Sequence, residues 1–127
     1  MRAQKLLSQD IVAPCRTYQR RDPDRLYKEV VVGGIRTACV GREQLGRLMV
    51  GDCLAARGGK RQPRLIFASN GHAVSMVRND EGFRANFAKA DLIHADGQPV
   101  VIASKLLTDS PIPERTATTD FIHDAAI

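Results

Sequence analysis

With 127 residues, 43% of them hydrophobic, the chain can bury one core and falls short of two ordinary domains. Its net charge of +5 is uneven, because Met1 to Arg64 carries 14 Lys/Arg against 6 Asp/Glu while Leu65 to Ile127 carries 5 against 8. No apolar run reaches the roughly 18 residues of a membrane-spanning helix, the start lacks the apolar centre of a signal peptide, and Cys15, Cys39 and Cys53 form no CxxC pair, which excludes a zinc knuckle or disulfide framework and places the chain in the cytoplasm with reduced thiols.

From Met1 to Lys28 the pattern is charged and irregular, and it reads as a flexible basic arm ahead of a domain from 29 to 127. Such an arm concentrates polyanions or stands as a solvated tail. Aromatics are only 5% and Trp is absent, so stacking platforms for nucleic acid are scarce, and nucleic acid is not assigned as a partner. Glu29 to Val40 reads as two short strands joined at Gly33-Gly34, or as one strand with a bulge. Arg42 to Ala56 places Leu45, Leu48, Met49, Cys53 and Leu54 at helical spacing, with Gly58-Gly59 as the stop.

Arg64 to Ala68 (RLIFA) is a buried-strand signal that opens into the turn Ser69-Asn70-Gly71. His72 to Val77 and Gly82 to Ala90 are helical in composition, with Asn79 and Asp80 supplying the cap of the second helix. Asp91 to Ala95 repeats the strand signal, and Gln98 to Leu107 is a buried helix ended by Ser110-Pro111-Ile112-Pro113. A last helix starts near Thr118, capped by a threonine or by Asp120. Strands alternating with helices after residue 60 predict an α/β fold with a parallel, doubly wound, Rossmann-like sheet flanked by helices. Ligands of such sheets bind at the carboxyl ends of the strands, where both Ser69-Asn70-Gly71 and Asp96-Gly97 fall.

Asp96 follows an apolar strand, and Gly97 leaves room for a substrate beside its carboxylate. Such a carboxylate can take a proton from a sugar hydroxyl, and equally it can cap the helix that starts at Gly97-Gln98-Pro99. Asn70 can donate and accept hydrogen bonds to a sugar, or simply make the turn. Glu114-Arg115 with Thr116, Thr118 and Thr119 offers a fixed cation and hydroxyls for phosphate, or a surface Glu–Arg pair with capping threonines. His72, His94 and His123 lack metal-ligand spacing, and no GxGxxG, GxxxxGK[ST] or GxSxG is present, so neither a metal nor a cofactor is assigned.

Taken in series, the strand ending in an asparagine turn, Ala90-Asp91-Leu92-Ile93-His94-Ala95-Asp96-Gly97, and Pro113-Glu114-Arg115-Thr116-Ala117-Thr118-Thr119-Asp120 resemble the WecG/TagA/CpsF family of bacterial glycosyltransferases. The resemblance is carried by about half the chain, Arg64 to Ile127, with Val31 to Arg57 compatible with the family's opening strand and helix, and implies the N-terminal, acceptor-side part of a domain of roughly 200 residues, hence a truncated fold. It implies inverting, metal-independent transfer of an N-acetylmannosamine-type sugar from a UDP-sugar donor to a lipid-linked N-acetylglucosamine diphosphate during cell-surface polysaccharide synthesis. The setting would be the inner face of the plasma membrane, with peripheral membrane contact and room for a homo-oligomer. By position, Asp96 matches the family's general base; Asn70, with Ser69, Gly97 and Gln98, matches the acceptor site; Arg115 matches the arginine beside the diphosphate. Ala68 departs from the threonine common two residues before the asparagine, and Thr118 and Thr119 replace a stretch that contains glycine in many members. A non-catalytic acceptor-binding module, or a basic nucleic-acid-binding domain working through the arm, are the competing readings.

Overall fold

Two facing layers of apolar side chains meet on one short strand, and the rest of the molecule is arranged around it in a computed structural model that describes residues 26–126. Most of the basic arm therefore lies outside the described residues, as does Cys15. The strands are β1 (Glu29–Val32), β2 (Ile35–Ala38), β3 (Ile66–Ser69) and β4 (Leu92–Ala95). The helices are α1 (Arg42–Arg57), α2 (Gly71–Asn79), α3 (Glu81–Phe87), α4 (Gln98–Leu107) and α5 (Thr118–Ala125).

The hairpin form of residues 29–40 is the one realised: β1 and β2 pair antiparallel, with Val32 opposite Ile35. Gly33 and Gly34 have φ of 59° and 82°, a pair of left-handed conformations that suits a two-residue hairpin turn. β3 and β4 pair in parallel, Ser69 opposite Ala95, and α2 and α3 form the crossover between them. β2 lies next to β4 without forming a ladder with it, so the described residues hold one two-stranded antiparallel and one two-stranded parallel sheet. The chain is thus a small mixed α/β structure. The parallel pairing of β3 and β4 is the part of the expected doubly wound sheet that the described residues form, and the β1–β2 hairpin does not join it by a ladder.

One core cluster joins Val32, Ala95, Val100, Val101 and Ile112 across β1, β4, α4 and the proline loop. The other joins Ala38, Val40, Leu45, Leu92 and Phe121 across β2, α1, β4 and α5. Alternate residues of β4 serve both, which is why Asp91 to Ala95 reads as a nearly continuous apolar run. The apolar face expected of α1 tapers: Leu45 is buried, Leu48 and Met49 pack half-buried, and Cys53 and Leu54 are exposed. Only the first half of that helix meets the core.

The helix ends differ from expectation in an instructive way. Asp80 caps α3 as expected, accepting from the Phe83 amide at 2.8 Å. α5 is capped at Ala117, which has no side chain to do it, and neither a threonine nor Asp120 takes that role. α1 starts at Gly41, which has no capping side chain either, and the Arg42 amide is met by Glu114 Oε1 at 2.6 Å from far along the chain. A Cβ on Gly41 would stand 2.8 Å from that oxygen, so a side chain there would push the Glu114 carboxylate aside. Arg42 also binds the Asp124 carboxylate through Nε and, at 3.0 Å, through Nη2, which ties the start of α1 to the end of α5.

Candidate active site

β3 and β4 run in parallel, so their carboxyl ends lie side by side, and the two loops that leave them interlock. The Ser69 carbonyl accepts from the Asp96 amide at 2.9 Å and from the Gly97 amide at 3.2 Å. A Cβ on Gly97 would lie 3.0 Å from both Cα and Cβ of Asn70, closer than side chains normally approach. Gly97 is therefore needed for the two strand ends to touch, which is a packing reason for a residue first singled out as a space for substrate.

Asn70 ends β3 and caps α2, its Oδ1 accepting from the Ala73 amide at 2.9 Å. The cap orients the side chain and occupies Oδ1, so the donor the side chain can offer a ligand is Nδ2. Asp96 does the opposite. The N-cap of α4 is Gly97, with no side-chain cap, and the half-buried Asp96 carboxylate turns away to accept from Thr118 Oγ1 at 3.3 Å. The helix-cap alternative for Asp96 is thereby removed. Gln98 is exposed at the first position of α4, next to Gly97. Ser69 is fully buried, and its hydroxyl has no hydrogen-bond partner among the described residues, so its link to the rim is its backbone carbonyl.

The segment after the two prolines is a brace for β4 and not a surface Glu–Arg pair. Glu114 turns to the Arg42 amide, and the exposed Arg115 donates through Nε to the Asp96 carbonyl at 2.7 Å. Thr116 is buried, with its amide 2.7 Å and its hydroxyl 3.1 Å from the Ala95 carbonyl. Ser104, also buried, anchors the proline loop from below, since its Oγ accepts from the Ile112 amide at 2.9 Å. Ser69, Asn70, Asp96, Gly97 and Arg115 are thus brought to one rim, with Gln98 adjoining in sequence.

Four residues of this arrangement are absent from the sequence reading of the site, or have another role in it: His94, Glu114, Thr116 and Thr118. The buried His94 ring meets Phe121 edge-on, with centroids 4.9 Å apart, and its Nδ1 lies 3.1 Å from Thr116 Oγ1. Because the single Thr116 hydroxyl proton goes to the Ala95 carbonyl, Nδ1 is the donor of that pair and the neutral ring carries its proton there. Burial pushes His94 below the ordinary imidazole value, against smaller opposing effects of the Asp96 charge and the hydrogen bond to Thr116.

That direction sets a pH dependence of stability. The unfolded chain takes up the proton near pH 6.5, whereas the folded chain takes it up only at lower pH. Between those two values the unfolded state binds more protons, so the melting midpoint should fall as the pH is lowered from 7 toward 5, and this slope should be absent in His94→Gln. Thermal melts across that range, with an unchanged midpoint in the wild type, would sink the assignment.

Two surface depressions lie elsewhere, one beside Tyr27, Cys39, Gln44 and Ser110, the other along α1 beside Arg47, Val50, Glu114 and Asp124. Neither includes Asp96 or Asn70. Among the described residues, no helix is long and apolar enough to cross a membrane.

No curated protein matches the sequence. The family model for the glycosyl transferase WecG/TagA/CpsF family matches residues 30–126, which takes in the hairpin, both parallel strands and the whole brace behind Asp96. That match reaches well upstream of the motifs that first suggested it, to β1 and α1, and the elements it adds are the ones that pack against β4. Covering most of the chain, that match shows that the chain belongs to the WecG/TagA/CpsF family of glycosyltransferases.

Proposed function

We propose that the protein transfers an N-acetylmannosamine-type sugar from a UDP donor to a lipid-linked N-acetylglucosamine diphosphate in cell-surface polysaccharide assembly, with inversion and without a metal. The observation that carries this reading is Asp96: a half-buried carboxylate at a strand end whose helix-capping role is left to Gly97. In this reading Asp96 is the base. As the acceptor hydroxyl oxygen attacks the anomeric carbon, its O–H bond breaks and the proton passes to the Asp96 carboxylate. The bond from that carbon to the UDP β-phosphate oxygen breaks on the opposite face, and its electron pair leaves with the phosphate.

Asn70 Nδ2 would donate to an acceptor hydroxyl or amide oxygen, and Gly97 with Gln98 would flank the sugar. Arg115 would face the acceptor diphosphate with the guanidinium nitrogens not engaged by the Asp96 carbonyl. We read β3 and β4 as part of a Rossmann-like sheet, residues 29–127 as the acceptor-side portion of the domain, and the working location as the cytoplasmic face of the plasma membrane.

The test is a titration of the chain with a short-lipid diphosphate N-acetylglucosamine analogue, followed by amide chemical shifts. Changes centred on Asn70, Asp96, Gly97 and Arg115 are expected. Changes confined to α1, or no binding at millimolar ligand, would overturn the acceptor-site reading.

A further inference from the structure

We propose that Thr118 is a positioning residue that holds the Asp96 carboxylate in one orientation, so that Oδ1 is the oxygen presented to the acceptor hydroxyl. The inference rests on the reading of Asp96 as the base and adds to it a residue for which that reading has no role. Thr118 Oγ1 donates to Asp96 Oδ2 at 3.3 Å, from 22 residues away in sequence.

A threonine at the start of a helix is ordinarily a cap, but this one stands one place too late for that. The cap position of α5 is Ala117, buried and without a polar side chain, while Thr118 is the first helical residue and its hydroxyl is directed across to β4. The same segment grips Asp96 at a second point, through Arg115 Nε on its carbonyl at 2.7 Å, and grips Ala95 through the Thr116 amide at 2.7 Å. Backbone and side chain of the base are therefore both held by one stretch, Arg115 to Thr118.

The two oxygens of a free carboxylate exchange by rotation about the side-chain bonds. A hydroxyl donor on one of them removes that equivalence and leaves the other to receive a proton. Misplacement of a base by about 1 Å can cost about 100-fold in rate, so a modest constraint of this kind acts on turnover far more than on binding.

The test compares Thr118→Val, which keeps the shape and removes the hydroxyl, with Thr118→Ser, which keeps the hydroxyl. In the 1–127 chain, three-bond couplings should report one dominant Asp96 rotamer in the wild type and in Thr118→Ser, and averaged rotamers in Thr118→Val. In transfer assays, Thr118→Val should lower kcat by about 10-fold with the acceptor KM changed less than about 2-fold, and Thr118→Ser should restore most of the rate. In the Asp96→Asn background, Thr118→Val should add little, since Thr118 acts only through that carboxylate. Equal losses in Val and Ser variants, an effect confined to KM, or an unaveraged Asp96 rotamer in Thr118→Val would each overturn the inference. Normal turnover in Asp96→Asn alone would instead remove the base reading on which it stands.

Discussion

Asp96→Asn should fold normally, bind the acceptor with little change, and turn over roughly 10²–10⁴-fold more slowly, the range that general-base assistance usually contributes. The measurement is of initial rates at saturating donor and acceptor. Asparagine keeps the shape of the side chain, and its carbonyl oxygen can still accept from Thr118 Oγ1, so the rim should be preserved. The structure sharpens the control. Were Asp96 a helix cap, Asp96→Ala would cost about 1 kcal/mol of stability, but α4 is capped at Gly97 without a side chain, so both variants should melt close to the wild type. A near-normal rate for Asp96→Asn would end the catalytic assignment, whatever the family membership suggests.

Arg115→Ala should weaken binding of a diphosphate-bearing acceptor analogue by roughly 10- to 100-fold, and binding of the bare sugar far less, because charge-assisted contacts to phosphate are among the stronger hydrogen bonds. Calorimetry on the two ligands separates the proposed phosphate contact from the brace that the structure shows. Through Nε, Arg115 braces the Asp96 carbonyl, and a loss of that brace would disturb sugar and diphosphate alike. A phosphate contact would instead be felt only by the diphosphate ligand. Arg115→Lys keeps the charge and loses the planar fork, so it should recover part of the diphosphate affinity without recovering the brace. Equal losses for both ligands in Arg115→Ala would mean that the arginine serves the fold of the rim alone.

The polar side chains of the site differ in how far their partners lie along the chain, and this decides which of their roles could be read in advance. Asp80 capping α3 is legible because donor and acceptor are three residues apart, within one turn. Asn70 capping α2 has the same spacing, yet Ser-Asn-Gly is also an ordinary turn, and only the formed helix shows which it is. Glu114 and Arg115 stand together and suggest a pair, but their partners are Arg42 and Asp96, 72 and 19 residues away. Thr118 suggests a cap, but its partner is also across the fold. Gly97 was legible as a special position, although the clash with Asn70 that requires it was not.

What the sequence by itself determined is local or periodic. The β1–β2 turn follows from two adjacent glycines, α4 runs over the same residues that its apolar pattern and following prolines mark out, and the order of motifs from Asn70 to Asp120 points to the family that the chain proves to belong to. Backbone preference, hydrophobic spacing and turn chemistry act over a few residues, so one stretch of sequence contains both sides of each such interaction. Only the tertiary structure decided that Asp96 is not a helix cap, that Glu114 meets the first amide of α1, that His94 is buried against Phe121 with its pKa pushed down by that burial, and that the hairpin lies beside the parallel pair without joining it by a ladder. In each of these a polar group has several chemically acceptable partners, and the choice among them is made by which backbone segments the packing of β4 brings within hydrogen-bond reach.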